Sequence, residues 1–493
     1  MAEKTDQNVA KVDRPLTTAK LNWVYWFMNE WVHLNMNVYW REIIIQGADV
    51  VPNDTGAILV PNHWNMALDV GSMMMACPRK VHFWTKNEMF KGPPIVGKFM
   101  RAMGCVPVDR TGNKANNNAL FTATIETLEK GGVMIVFIEG TSIHQPYLLE
   151  PKQGAAWAAL QTASKSVDST KLAPIIPVGI TYTPDKMTWR NRVVIRYGQP
   201  IHLAPYLKEF EAEQKEAVRR LTADTRAGLE KLVIQAPNWD TFEWVSKVRP
   251  IITGYKDAWK DLEVFNGIVK ALQRKDDVTS QTARRVADEY FADLKRAALK
   301  DEDIELYAFK GARLDLVALF LRLITQAAIL LLAVIFWLPG FVMHAPIRVA
   351  VTQIAKREKS GESKAQISVF SSQIIVPFTY TCWFYTLRFL FDTNSWGATA
   401  TYWIFLISLG VFYLRVEDFR RVKWETVTQL VRLLVSVSRG AEGLRGFVEQ
   451  RGSVREVMKR AIKGAEGDSM PVFSTAGTPG SPNSPGGAGA RKE

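Results

Sequence analysis

Three apolar stretches in the second half of the chain restrict its fold more than any other feature. They are ITQAAILLLAVIFWLPGFVM (324–343), VFSSQIIVPFTYTCWFYTL (369–387) and GATATYWIFLISLGVFYL (397–414). Each is close to the ~20 residues that a bilayer core of about 30 Å requires of a helix. Inside hydrocarbon no water is available to stray N–H and C=O groups, so segments of this kind are expected as helices. The chain is therefore expected to be membrane-integral, with a phospholipid bilayer as one of its partners. Basic flanks follow the first stretch (348–364) and the third (415–424). If all three stretches span, the positive-inside rule puts these flanks on one side of the membrane and the N-terminal part on the other. A break at Pro339-Gly340 would instead make the first stretch a re-entrant hairpin and leave N-terminal domain, loop and tail together on the cytosolic face. That second arrangement is the one expected.

The remaining chain divides by composition. Residues 1–20 are polar and read as a flexible N-terminus without a secretory signal. Residues 21–40 hold four Trp and a single acidic residue, the pattern of an aromatic helix at headgroup depth, with an amphipathic core helix as the alternative. From 41 to 203 short β-rich runs alternate with helical stretches: AILVP (57–61), VHFWT (81–85), CVPVD (105–109), VMIVF (133–137), PIIPVGITY (174–182) and VVIRYG (193–198). Apolar strands separated by helices predict an α/β domain with a mixed, mostly parallel sheet flanked by helices. Residues 204–313 read as a charged helical insert, 314–414 as the membrane region, 415–463 as a basic helical region, and 464–493 as a Gly-, Pro- and Ser-rich disordered tail.

The formal net charge of +13, from 62 Lys and Arg against 49 Asp and Glu, favours an anionic partner: nucleic acid, a phospholipid surface or a phosphorylated substrate. The apolar runs select lipid, and no recognition-helix pattern points to nucleic acid. Cys77, Cys105 and Cys382 are too far apart for a disulfide framework or a zinc site, so no metal is expected.

Two stretches carry candidate chemistry. In VPNHWNMALDV (60–70), His63 follows a strand and Asp69 comes six residues later. Two residues six apart on a straight helix point about 120° from each other, so His63 must sit in the loop before the helix for the carboxylate to reach its ring, with Asn62 available as a cap. A carboxylate on one ring nitrogen fixes the tautomer and frees the other nitrogen to take a proton from a hydroxyl. A structural histidine at a strand end is the plainer reading. No serine or cysteine stands in a nucleophile-elbow sequence, which favours direct transfer over a covalent intermediate. The second stretch is VFIEGTSIHQPYLLEPKQGAA (136–156). Its strand runs into Glu139, Gly140, Thr141 and Ser142, with Lys152 following, a turn that suits an anion. Ordinary turn chemistry is the alternative.

Taken together, NHWNMALD (62–69), GCVPVDR (104–110), FIEGTS (137–142) and IIPVGI (175–180) resemble, in order and spacing, the four blocks of the glycerophospholipid acyltransferase superfamily. The extra residue between His63 and Asp69, the helical insert, the apolar C-terminal segments and LLEPKQGAA (148–156) look like the fungal-type glycerol-3-phosphate and dihydroxyacetone-phosphate acyltransferases. The resemblance implies transfer of a fatty acyl group from acyl-CoA, as co-substrate and without a cofactor, to the sn-1 hydroxyl of glycerol 3-phosphate or dihydroxyacetone phosphate. It implies His63 as general base and Asp69 as its orienting partner. Arg110, Glu139, Gly140, Thr141, Ser142 and Lys152 would bind the acceptor phosphate, and Pro177 would pack near the acyl chain or the loop. Arg110 as a surface ion-pair residue and Lys152 as a solvated one are the plainer readings. Where members usually carry an arginine after EGxS, this chain has Ile143-His144-Gln145: a phosphate donor is lost, or His144 replaces it. The expected location is the endoplasmic reticulum membrane, multi-pass, with the catalytic domain cytosolic. A lysophosphatidic acid acyltransferase is the nearest rival and a non-catalytic membrane scaffold a remote one.

Overall fold

The structure, a computed structural model, describes residues 23–90, 93–108, 114–165, 172–183, 189–255, 262–309, 316–358, 361–392, 395–438 and 441–468. The expected flexible N-terminus and all but the first residues of the expected tail lie outside them. A seven-stranded sheet forms the centre of the first half. Its strands are β1 (Trp40–Gln46), β2 (Ala57–Pro61), β3 (Val81–Lys86), β4 (Cys105–Val108), β5 (Val133–Ile135), β6 (Ile175–Thr183) and β7 (Asn191–Tyr197), in the order β1-β7-β6-β2-β5-β3-β4. Only the β6–β7 pairing is antiparallel. The sheet is thus mixed and mostly parallel.

All five residues of β2 are buried, as a central strand covered on both faces requires. Ala57 and Leu59 join one core while Ile58 and Val60 join the other, the period-two alternation of an extended chain. One face is covered by α1 (Trp23–Tyr39) and α2 (Met66–Ala76). The other is covered by α4 (Lys114–Glu129), α5 (Gly154–Lys165), α6 (Ala204–Ala212) and α7 (Gln214–Glu230), with α3 (Pro94–Ala102) at the β4 edge. In α7 the buried positions Val218, Leu221, Thr222, Thr225 and Leu229 follow the three- and four-residue spacing of a helix packed on one side. Helix α1 buries Tyr25, Asn29, Met36 and Tyr39 and leaves Trp23, Trp26, Phe27, Trp31 and Leu34 exposed. Trp40, grouped by composition with the aromatic helix, instead opens β1. It is 1% exposed, stacks on Tyr182 at 5.1 Å, and its Nε1 donates to Ser72 Oγ at 3.2 Å.

A helical module follows: α8 (Trp239–Thr253), α9 (Leu262–Gln273), α10 (Val278–Arg296) and α11 (Asp301–Phe309). Three long helices come next, α12 (Leu316–Lys356), α13 (Gly361–Phe391) and α14 (Trp396–Ser438), each long and apolar enough to cross a membrane. The last helix, α15 (Ala441–Gly464), turns back onto α8–α11. Leu444, Val454, Met458, Ala461 and Ala465 are buried there, and Arg451 binds Asp301 at 2.9 Å while Arg432 of α14 binds the buried Asp303 at 2.7 Å. Basic and acidic helices that the sequence places more than a hundred residues apart thus close into one bundle.

The re-entrant hairpin is not formed. Helix α12 continues through Pro339, Gly340 and Pro346. A Cβ on Gly340 would come within 2.6 Å of Tyr413 Cβ, so this glycine serves close approach of α12 and α14 rather than a break. Both ends of α12 nevertheless touch the globular part. Leu319 is buried in the same core as α15, and the Arg348 guanidinium lies 5.7 Å from the Trp189 ring beside β7. The start of α13 also meets the sheet domain, with Ser363 Oγ 3.5 Å from Met66 Sδ and Gln373 Nε2 donating to Asn35 Oδ1 at 2.6 Å.

Candidate active site

The carboxyl ends of parallel strands are where an α/β sheet offers loops and helix starts to a ligand, and both candidate stretches arrive there. After β2 the chain first pins itself: Asn62 donates through Nδ2 to Ile180 O at 3.0 Å and accepts from Ile180 N at 2.7 Å. Asn62, considered above as a helix cap, thus extends the pairing of β2 with β6. The residue at the cap position of α2 is Asn65, which makes no side-chain cap. Its N–H donates instead to Asp69 Oδ2 at 2.7 Å.

His63 sits in the loop between, as the six-residue spacing requires. Its Nδ1 is 2.8 Å from Asp69 Oδ2, with the His63 side chain 15% exposed and Asp69 fully buried. Tyr182 of β6 donates its hydroxyl to the other carboxylate oxygen, Oδ1. Burial, and then the neighbouring carboxylate, hold this phenol well above the ordinary tyrosine range, so it remains a donor. The His63 ring stacks on Phe137 with centroids 3.9 Å apart. No described residue hydrogen-bonds His63 Nε2. A buried carboxylate with three donors, one of them imidazole, fixes the ring and leaves Nε2 as the nitrogen available for proton transfer.

The second loop, after β5, braces the first. Glu139 accepts the His63 N–H at 2.8 Å on one oxygen and the Leu149 N–H at 3.1 Å on the other, while Ile143 N donates to His63 O at 3.3 Å. Burial pushes Glu139 up to about 7, against the pull of the two backbone N–H groups. Expected among the phosphate ligands, Glu139 is instead taken up by backbone, and its ionised form would repel a phosphate. Gly140 has φ +67° and would bring a Cβ within 3.1 Å of Lys152 Cγ, so the turn needs glycine for both conformation and space. Lys152 N is anchored to Ile138 O at 2.7 Å, and its side chain is exposed beside that turn. Ser142 is buried and Thr141 partly so.

His144 does not stand in simply for the missing arginine. Its ring lies 4.4 Å from Trp239 and edge-on to Trp64, and burial lowers its affinity for a proton, with Asp69 working the other way. A neutral imidazole in an aromatic cluster is a weaker phosphate ligand than a guanidinium. Pro177 packs its ring against Gly228 of α7, where a Cβ would meet it at 2.8 Å, on the face away from α2 rather than near the loop. Arg110 lies outside the described residues. Sequence reasoning missed Tyr182, Asn62's pairing and the bracing of Glu139. The only signal for Tyr182 was its place two residues after Ile180 on a buried strand.

Two family models match. Residues 42–181 match the Acyltransferase model, and residues 268–466 match the Glycerol-3-phosphate acyltransferase 2 C-terminal domain. Among curated proteins the chain is 24% identical over 268 residues to Glycerol-3-phosphate O-acyltransferase 2 of Saccharomyces cerevisiae, covering 53% of this chain and 35% of that protein. It is also 24% identical over 249 residues to an uncharacterised acyltransferase of Schizosaccharomyces pombe, covering 48% and 35%. The matches thus span about a third of each relative's length. Among solved structures, the 1-acyl-sn-glycerophosphate (LPA) acyltransferase of Thermotoga maritima is 21% identical, covers 41% of this chain and 80% of its own, and has a TM-score of 0.29. The chain thus joins a region that matches the Acyltransferase model to one that matches the Glycerol-3-phosphate acyltransferase 2 C-terminal domain.

Proposed function

We propose that the protein transfers a fatty acyl group from acyl-CoA to the sn-1 hydroxyl of glycerol 3-phosphate or dihydroxyacetone phosphate. The observation that carries this reading is the 2.8 Å contact between His63 Nδ1 and a fully buried Asp69 at the carboxyl end of β2. His63 Nε2 takes the proton as the acceptor oxygen attacks the thioester carbonyl. The tetrahedral intermediate then expels the CoA thiolate, which recovers that proton from the imidazolium, giving the ester and free CoA thiol. Asp69 holds the ring; Tyr182 and Asn65 N hold Asp69. General-base assistance of this kind contributes roughly 10²- to 10⁴-fold in rate.

Acceptor recognition falls to Thr141, Ser142 and Lys152, with Arg110, two residues after β4 in the sequence, as a further candidate cation. The domain pairing and the name of the yeast relative, a glycerol-3-phosphate O-acyltransferase, support a phosphorylated three-carbon acceptor. The long apolar helices and the exposed aromatic face of α1 support work at a bilayer surface, where a lipid product can leave without crossing water. The endoplasmic reticulum membrane, with the catalytic domain on its cytosolic face, fits cytosolic acyl-CoA, and the contact of both ends of α12 with the globular part supports this over an arrangement in which all three apolar helices span. The test is an acceptor panel on the purified full chain, following CoA thiol release with glycerol 3-phosphate, dihydroxyacetone phosphate and lysophosphatidic acid in turn. Release with either of the first two and not with the third is expected. Release with lysophosphatidic acid alone would replace the proposed acceptor by its acylated form.

A further inference from the structure

The outer surface of α12 and α14 holds a feature that acyl transfer does not use. An open apolar groove with a volume of about 300 Å³ runs between the two helices, walled by Ile329, Leu332 and Phe336 on one side and Phe412 and Phe419 on the other, with Arg415 at its margin. Leu332 and Phe336 are more than half exposed. Arg415 is the first charged residue after the apolar run 397–414, and it makes no hydrogen bond or ion pair to any described residue.

Charge on the same stretch of α14 is unbalanced. Glu417 is fully buried and receives Arg420 Nε at 2.9 Å and Arg421 Nε at 2.8 Å, with Arg348 Nη1 at 3.9 Å. Asp418 is taken up by Arg190, whose Nε donates to it at 3.0 Å. Three guanidiniums, those of Arg348, Arg420 and Arg421, therefore answer to one carboxylate, and Arg415 is left without a carboxylate of its own among the described residues. A guanidinium fork matches a phosphate in shape as well as charge.

We infer that this groove is a binding site for a bilayer phospholipid with an anionic headgroup, its tail lying between Phe336 and Phe412 and its phosphate on Arg415. Two observations select a lipid over a soluble anion or a protein segment. The groove opens on the apolar face of helices long enough to cross a bilayer, where lipid tails are the neighbours. The cation at its margin stands at the end of the apolar run, the depth at which basic pockets between helices meet anionic headgroups.

The experiment uses the full chain in nonionic detergent, offered phosphatidylserine and phosphatidylcholine of matched tails in equal amounts, with retained lipid counted by native mass spectrometry. Wild type retains phosphatidylserine preferentially. Arg415→Gln lowers that retention roughly tenfold, the loss expected for one charge-assisted contact, and Arg415→Lys, which keeps the charge without the fork, restores part of it. Leu332→Trp, which fills the groove, lowers retention of both lipids. His63→Ala keeps the wild-type preference, because the site is separate from the one proposed for acyl transfer. Equal retention of the two lipids by wild type, an unchanged preference in Arg415→Gln, or displacement of phosphatidylserine by inorganic phosphate alone would overturn the inference.

Discussion

Asp69 and Glu417 are both fully buried carboxylates, yet their surroundings differ in kind. Asp69 is met by an imidazole, a backbone N–H and a phenol, so one negative charge is held mostly by neutral donors. Glu417 is met by three guanidiniums and is outnumbered. The first arrangement leaves a base whose proton can come and go at little electrostatic cost. The second leaves permanent positive charge looking for an anion. Burial of a carboxylate alone says little about its role; the charge state of its partners decides whether the place suits proton transfer or anion capture.

Substitutions separate the two cases. The largest effect belongs to His63→Ala, for which a loss of roughly 10²- to 10⁴-fold in acyl transfer is expected with the fold retained and a modestly lower melting temperature; retained turnover would reduce Asp69 to a structural carboxylate like Glu417. Glu417→Gln is expected to act the other way round. It strands the arginines and lowers stability by about 3 kcal/mol, read as a lower melting temperature in detergent, while the turnover of the molecules that remain folded stays near wild type.

Glu139 gives a pH signature. Its folded value of about 7 lies above the ordinary carboxylate range, so folding takes up a proton between about pH 4.5 and 7. Stability is therefore highest on the acid side of that window and falls as pH rises through it, by on the order of 2 kcal/mol. Glu139→Gln is expected to flatten this slope in denaturant titrations at successive pH values; an identical slope would assign the dependence to other groups. The smallest effect is that of Tyr182→Phe. Removing one donor from a buried carboxylate costs about 1.5 kcal/mol, so kcat falls roughly tenfold with KM little changed. A purely structural role for the phenol would lower the melting temperature and leave kcat unchanged.

The parts of this account that the sequence disclosed are the local ones. Strand β2 declared itself as five apolar residues with no polar interruption, and the His63–Asp69 contact followed from a six-residue spacing and the pitch of a helix. What escaped depends on partners far along the chain. Tyr182 reaches Asp69 across 113 residues and Asn62 pairs with Ile180 across 118, and neither residue type carries a local signal for such a role. Strand β1 was hidden because WREIIIQ borders an aromatic helix and gains its identity only by pairing with β7. Pro339-Gly340 looked like a break by composition, whereas tight packing on Tyr413 keeps α12 continuous. The re-entrant hairpin failed because tertiary contact outweighed local propensity.

The central claim is that His63 and Asp69 act as one unit on the acceptor hydroxyl. It is tested most directly by measuring CoA thiol release with glycerol 3-phosphate for His63→Ala, Asp69→Asn and the double variant, each with its fold checked by circular dichroism. If the pair works as a unit, the double variant loses no more than His63→Ala alone, because an orienting carboxylate has nothing left to orient. Losses that multiply would contradict the account, since Asp69 would then contribute to the rate by a route that does not pass through the imidazole.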